Sequence, residues 1–454
     1  MNKQERWTAF WLASVFSLRM LGLFMILPVF ALYAEHLRGH TPILIGLAIG
    51  IYGLSQALFQ IPFGFLSDHY GRKRIIYLGL IIFSLGSLVA AMADSIHGVI
   101  IGRALQGSGA ISAAVMALAA DLTREQHRIR VMATIGITIG LSFAIAMILG
   151  PLLDNWIGVS GIFWLTGILA LLSIGVIYRL IPDPVISQTH RDAEPVASQF
   201  SRVLSDRQLL RLDLGIFTLH LLLTATFLAV PLALRDAGLP GQQHWKIYLP
   251  VLLLSMALMI PFVILAEKYH CFKSVLLGAI ITIMLTELGL LSLHDTIPGT
   301  AILLLSFFTS FNILEATLPS LITKIAPAEA KGTAMGIYSS SQFFGAFTGG
   351  AFGGVLYSAF GIQAIFIFAA LSALIWLSIT FTMAPPRYLS NYLLNIGICN
   401  ETDVHDLERQ LTQVNGVEEA AVIATEGVAY LKVDQRLFDE TALLNRYHSK
   451  TSHS

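Results

Sequence analysis

Charge is scarce in this sequence. Only 12% of its 454 residues are Asp, Glu, Lys or Arg, about half the share a soluble globular chain carries. A water-covered surface along most of the chain is thereby excluded. Basic and acidic residues number 28 each, so the formal net charge is zero, and there is no cationic excess of the kind nucleic acid demands. Two cysteines, Cys271 and Cys399, exclude a disulfide framework. No G-x-x-x-x-G-K-[ST] loop is present, so ATP is not the expected energy source. No nucleophile or metal motif assembles either, which argues against an enzyme and leaves no expected cofactor or metal. What the chain has in abundance is apolar sequence. It is 55% hydrophobic with 37 glycines, and its mean hydropathy is +0.72.

That apolar sequence comes in runs. About twenty apolar residues suffice to cross a bilayer as a helix, and twelve runs qualify: 8–33, 42–66, 75–93, 97–120, 131–153, 160–180, 212–234, 246–266, 274–293, 299–323, 333–357 and 362–384. The first is too long for a signal-peptide core and is read as a retained span. Lysine and arginine stay on the cytoplasmic side of a membrane protein. Assigning the loops alternately places seventeen of these residues on one side. The other side holds three, Arg38, Arg235 and Lys246. Both termini are therefore expected in the cytoplasm.

One cytoplasmic loop stands out. "GFLSDHYGRKR" (64–74) packs Asp68, Arg72, Lys73 and Arg74 into seven positions. Topology alone accounts for the basic cluster, but not for Asp68 or the two glycines. A faded copy recurs: "PFGFLSDHYGRKR" from Pro62 aligns with "PFVILAEKYHCFK" from Pro261, setting Asp68 opposite Glu267 at an offset of 199. "RIRVMATIG" from Arg128 aligns with "KGTAMGIYS" from Lys331 at an offset of 203. Two matches at nearly one offset imply a duplicated unit, residues 1–180 and 212–385, joined by a polar stretch at 181–211. Transporters are commonly built this way, with the substrate site at the midplane between the repeats.

These motifs carry a family resemblance over about residues 1–385. "GFLSDHYGRKR" resembles the cytoplasmic signature loop of the major facilitator superfamily. "GRALQGSGA" (102–110) resembles the motif on the fourth helix of its proton-driven exporters, and Gly150-Pro151 resembles part of the antiporter motif. His69 stands where the family loop usually has arginine or lysine, and Asp154-Asn155 where the antiporter motif usually has two glycines. The resemblance implies an all-α polytopic membrane protein of twelve transmembrane helices in two six-helix halves, working by alternating access. It also implies that the loop latches the two halves together and so favours the outward-facing state. Gly64 permits close helix approach and Gly71 a tight turn. Asp68 is placed to face the N-terminus of the eleventh helix near Lys331-Gly332, where the helix dipole favours negative charge. Arg72 or Arg74 is placed to pair with Asp121 at the end of the fourth run. Lys73 needs no role beyond topology.

Charge at membrane depth is costly and faces a cavity or a partner. The candidates are Arg19, Arg103, His220, Asn312 and Glu315, on the first, fourth, seventh and tenth runs. In the superfamily those helices line the central cavity. Arg103, Gln106 and Gly107 belong to the exporter-like motif, which implies a coupling role. Asn312 and Glu315, three apart, share a helix face. Burial favours protonation of a carboxylate, so Glu315 leads as the group that loads a proton on one side and releases it on the other. An arginine that approached it in one conformation only would make proton affinity state-dependent, which coupling requires. Arg19 is equally readable as a structural ion-pair partner. His220 reads as a packing histidine. Glu287 breaks the pattern and is expected nearer a membrane face. Gly150-Pro151 supplies a helix bend. Phe24, Phe30 and Phe227 are candidates for an apolar cavity lining.

The linker carries Pro182, Pro184 and Pro195, which argue against one long helix. Its end, "SQFSRVLSDRQLL", reads as an amphipathic surface segment. After "MAPPRY" the character changes, and residues 386–454 form a separate cytoplasmic unit. Its pattern is β-α-β-β-α, resembling the small ferredoxin-like domain of heavy-metal-binding proteins. The metal-binding form needs two cysteines. Cys399 takes the first place but Thr402 the second, so a metal-free docking or regulatory fold is expected. From residue 389 onward the chain has ten Asp/Glu and five Lys/Arg. An acidic unit below a basic membrane face should dock on it weakly and in a salt-dependent way. The expected function is proton-coupled efflux of small organic molecules across a bacterial inner membrane. The partners are substrate, protons and the lipid bilayer, with no nucleic acid. An importer and a transporter-fold sensor are the alternatives.

Overall fold

The computed structural model describes residues 3–183, 199–269, 271–327, 330–384, 390–396, 404–424, 427–434, 437–439 and 443. Pro184, Pro195, Cys399 and Thr402 lie outside them, as does the expected last helix apart from residues 437–439 and Leu443. Among the described residues eleven segments are long and apolar enough to cross a membrane. Ten run from 20 to 30 residues. The eleventh, Thr134–Leu180, has 47 residues. It lies within a helix that is really two, joined at Gly158, whose positive φ of 69° only glycine adopts freely. The break in helical dihedrals therefore sits at Gly158. That break falls in the gap between the runs 131–153 and 160–180; Gly150-Pro151 lies within the helix, where Gly150 presses against the backbone of Met25.

The first segment is itself two helices, α1 (Lys3–Phe24) and α2 (Leu27–Ala34). Then come α3 (Pro42–Tyr70) and α4 (Arg72–Met92), the broken pair α5 (Ile96–Ser108) and α6 (Ser112–Asp121), and α7 (Glu125–Leu180). A short α8 (Phe200–Ser205) precedes α9 (Arg207–Asp236), α10 (Trp245–Lys268), α11 (Phe272–Leu293), α12 (Ile297–Ile325), α13 (Lys331–Phe360) and α14 (Ile362–Phe381). Local chemistry sets the starts. Thr41 accepts a bond from Leu44 N at 3.2 Å with Pro42 in the first turn of α3, and Asp206 accepts from Gln208 N at 2.7 Å to cap α9. The end "SQFSRVLSDRQLL" thus becomes α8, the cap and the first turn of α9.

The helices present two faces. On one, Glu5 accepts from Arg124 Nε at 2.8 Å, Lys73 donates to Ile181 O at 2.6 Å, and Lys273 lies over the Phe381 ring at 5.7 Å. Phe65 and Phe200, 6.4 Å apart, lie on this face too. It holds both ends of the helical domain and is called the terminal face below. On the opposite, distal face Arg38 pairs with Asp94, and Arg235 reaches Glu35 in the other half.

Glycine decides which side is closed. Gly46 lies against Gly350 and Gly354, Gly50 against Phe347 and Gly53 against Phe343, so the distal halves of α3 and α13 touch backbone to backbone. Nearer the terminal face Gly64 of α3 meets Ala113 of its own half. The two halves are thus zipped distally.

Beyond α14 a small sheet follows: β1 (Ser390–Asn395), α15 (Val404–Thr412), β2 (Val417–Ile423) and β3 (Val428–Val433). Its order is β1-β3-β2, with β3 antiparallel to both neighbours. This is a split β-α-β unit, consistent with a small extra domain. Ala429, Leu431 and Val433 pack with Leu411 beneath α15. The other face of β3 carries Val428, Tyr430 and Lys432, all buried. Lys432 donates to Ile325 O at 3.0 Å and to Lys324 O at 3.3 Å, at the C-terminus of α12. Burial holds this ammonium below the usual lysine value, against the opposing effect of Glu419.

Candidate functional site

The loop residues converge on the terminal face. Gly71, at φ +96°, ends α3 and starts α4. That turn swings Arg72 inward, where it is 2% exposed. Its guanidinium gathers three partners: Asp68, Asp121 at 3.1 Å and Ser67 Oγ at 3.0 Å. The partner of Asp121 is therefore Arg72, while Arg74 is exposed. Asp68, placed by the sequence to face α13, is held within its own half by Arg72. The copied loop makes a plainer contact: Glu267 pairs directly with Lys324 at 3.1 Å. Asp121 and Lys324 are separated by the same offset of 203 that relates the two halves.

Midway through the bundle a cavity opens between the halves. Its polar lining comes from Tyr52, Gln60, Arg103 and Ser112 on one side and His220, Thr224, Ser339 and Gln342 on the other. Phe24 and Phe30 line it as expected. Phe227 does not: it packs on Tyr248 and Phe308 in the core of the C-terminal half.

On the C-terminal side three helices bring titratable groups together. His220 of α9 is positioned through Nδ1, 3.3 Å from Ile216 O. Its Nε2 lies 2.8 Å from Gln342 Nε2 of α13 and 3.9 Å from Glu315 Oε2 of α12. Gln342 also reaches Glu315 Oε1 at 3.4 Å. With Nδ1–H donating to the helix carbonyl, Nε2 accepts from the Gln342 amide, and the chain cavity–His220–Gln342–Glu315 is continuous. Asn312 turns elsewhere, donating to Ser255 Oγ of α10 at 3.1 Å. One helix face thus serves two neighbours. Glu287 is fully buried and accepts from Thr226 of α9 at 2.8 Å.

The N-terminal side carries the opposite charge. Arg19 of α1 donates to Gln56 and to Ser112 Oγ at 3.2 Å, and Gln56 passes a bond to Gln60 at 3.2 Å. Arg103 of α5 lies over the Tyr52 ring at 4.9 Å and donates to Gln106 Oε1 at 3.0 Å. Gln106 in turn donates to Ser87 Oγ at 2.8 Å. Gly107 lets α5 press on the Tyr52 backbone. Arg19 and His220 are 201 residues apart, and Ser112 and Glu315 are 203 apart. The same inter-helix contact is therefore built twice, as Arg19–Ser112 and as His220–Glu315.

Sequence reasoning missed Asp213, on α9 near the terminal face. It is 6% exposed, and neither oxygen has a hydrogen-bond partner among the described residues. Its position just after Arg207 and Arg211 disguised it as loop charge. It also missed Gln56, Gln60, Gln342 and Tyr338, neutral groups that leave no charge signal in an apolar run.

Comparison with known proteins supplies the family. The profile of the Major Facilitator Superfamily matches residues 12–313 and 251–393. The chain belongs to the major facilitator superfamily. It is 44% identical over 437 residues to the inner membrane transport protein YajR of Escherichia coli, covering 96% of both chains. It is 26% identical to the multidrug resistance protein MdtH of Aeromonas hydrophila over 74% of this chain and 84% of that one. Among solved structures, a bacterial homologue of the human lysosomal transporter Spinster, inward-facing and occupied, superposes with a TM-score of 0.69 at 13% identity, covering 84% of this chain and 97% of that one. The protein is a multi-pass superfamily transporter of the inner membrane.

Proposed function

We propose that this transporter exports small organic molecules in exchange for protons, by alternating access of two six-helix halves about the central cavity. Dividing the Thr134–Leu180 segment at Gly158 gives twelve spans in all. The loop charges put the terminal face, and both chain ends, in the cytoplasm. The structure is then closed towards the periplasm, along the α3–α13 glycine seam and the Arg235–Glu35 pair. In this state Asp68 rests on Arg72; in the opposite state it swings onto the N-terminus of α13 and latches the cytoplasmic side. The observation that carries proton coupling is the His220–Gln342–Glu315 cluster, where a carboxylate oxygen without a hydrogen-bond partner among the described residues sits beside an imidazole that lines the cavity. Efflux as the direction is supported by the "GRALQGSGA" motif and by the relation to a multidrug resistance protein. The C-terminal unit docks on the cytoplasmic face, supported by the Lys432 bonds to the end of α12, the helix that carries Glu315. Those bonds give the sensor reading its one concrete support.

The test is a solute screen in proteoliposomes, with and without an imposed pH gradient. Gradient-driven flux that Glu315→Gln abolishes supports the reading. Wild-type pH dependence in that variant removes Glu315 from the mechanism.

A further inference from the structure

Arg19 and Arg103 are 3% and 4% exposed. An arginine stays charged in a protein, and a buried charge without a counter-ion is costly. Yet among the described residues the partners of these two are neutral: Gln56, Ser112 and the Phe83 ring for Arg19, Gln106 and the Tyr52 ring for Arg103. Arg19 Nε has no partner among the described residues. Tyr52 stands beside both arginines. Its ring underlies Arg103, and its buried hydroxyl faces Arg19 as a further neutral neighbour. Among the described residues no carboxylate lines the cavity, and Arg103 is the arginine that does. The repeat sharpens the point. Where the C-terminal half sets Glu315 against the residue corresponding to Arg19, the N-terminal half sets Ser112. The counter-ion is missing from the one half that needs it.

We propose that Arg103, in the wall of the central cavity, and Arg19, behind Ser112 of that wall, form an anion receptor, and that the transported molecule is an amphipathic organic acid. Its acidic head takes the place of the missing counter-ion beside Tyr52, accepting from the free Nε–H of Arg19, the Arg103 guanidinium and the tyrosine hydroxyl. Its apolar body lies against Phe16, Phe24, Phe30 and Phe343. The orphaned donors explain selection by charge: a neutral or cationic analogue of the same body leaves them unpaired or repels them. This assignment of substrate class rests on the central cavity being the transport pathway, but not on the pathway being driven by protons.

The test is ligand binding by the purified full-length protein in detergent, read as a thermal shift. The probes are hexanoate, octanoate and cinnamate, each beside its amide and the ammonium of matching length. The carboxylates are expected to raise the midpoint by about 2–4 °C at saturation, with no rise from the amides or ammonium ions. Arg19→Gln and Arg103→Gln should each erase that rise, and Arg103→Lys should keep part of it. Without probe, each glutamine variant should melt at or above the wild-type temperature, because an uncompensated charge has been removed. An equal shift from amide or ammonium, no shift from any carboxylate, or a lower unliganded midpoint in both glutamine variants overturns the receptor. Carboxylate binding that persists while proton-driven flux is absent would defeat the coupling mechanism and leave the receptor standing.

Discussion

In the N-terminal half α1 and α6 meet as Arg19 against Ser112; in the C-terminal half the corresponding helices meet as His220 against Glu315. One scaffold, duplicated, has been given a fixed positive charge on one side of the cavity and titratable groups on the other. The terminal-face loops repeat the contrast. Asp68 and Asp121 are two acids joined by the buried Arg72, whereas Glu267 and Lys324 pair directly and more openly. Duplication conserves the geometry of a contact while its chemistry diverges. A permanent charge holds a ligand; a titratable one reports which side of the membrane it faces. A transporter that exchanges substrate for protons needs one of each.

Removing the titratable side has the largest expected effect. Glu315→Gln should abolish flux driven by a pH gradient while leaving substrate binding intact, as counterflow without a gradient would reveal. Next comes the buried triad. Asp121→Ala strips a partner from a guanidinium that is 2% exposed and should cost about 3–5 kcal/mol, measured by thermal unfolding. A loss under about 1 kcal/mol would mean that Asp68 alone satisfies Arg72. Gly50→Val places methyl groups against the Phe347 backbone and should cost about 1–3 kcal/mol. It should also part the distal ends of α3 and α13, widening spin-label distances across that rim. Ser112→Glu gives the N-terminal half the acid of its counterpart. Arg19 then has an internal counter-ion, and carboxylate binding should weaken about tenfold or more; undiminished binding would place the acidic head elsewhere. Smallest is Lys324→Ala, which breaks the more exposed pair and should change stability by under about 1 kcal/mol.

The sequence made the membrane class, the two halves and the loop legible because each is written in charge spacing or long apolar runs. Arg19, Arg103, His220 and Glu315 were legible for the same reason: a charged or titratable residue in an apolar run is conspicuous. Their pairing was not, because it depends on which neighbour each helix face meets. Asn312 and Glu315 share a face by spacing yet serve α10 on one side and α9 with α13 on the other. The choice of Arg72 over Arg74 for Asp121 follows from the turn at Gly71, whose direction no spacing records. Asp213 was hidden by the arginines before it. The helix break at Gly158 was legible as the gap between the runs 131–153 and 160–180, although the glycine that makes it was not singled out.

The α3–α13 seam has a kinetic consequence. Where Gly46 meets Gly350 and Gly354, two backbones touch through hydrogen-bearing α-carbons and have no side chains to disentangle, so nothing there must change rotamer before they part. Their amides are already bonded along their own helices, and separation leaves no orphaned donor behind. Such a boundary opens cleanly, like a page from its spine. In the orientation proposed above, the time the carrier spends sealed against the outside would be set by the Arg235–Glu35 clasp at the rim, making dwell time a quantity that ionic strength can tune.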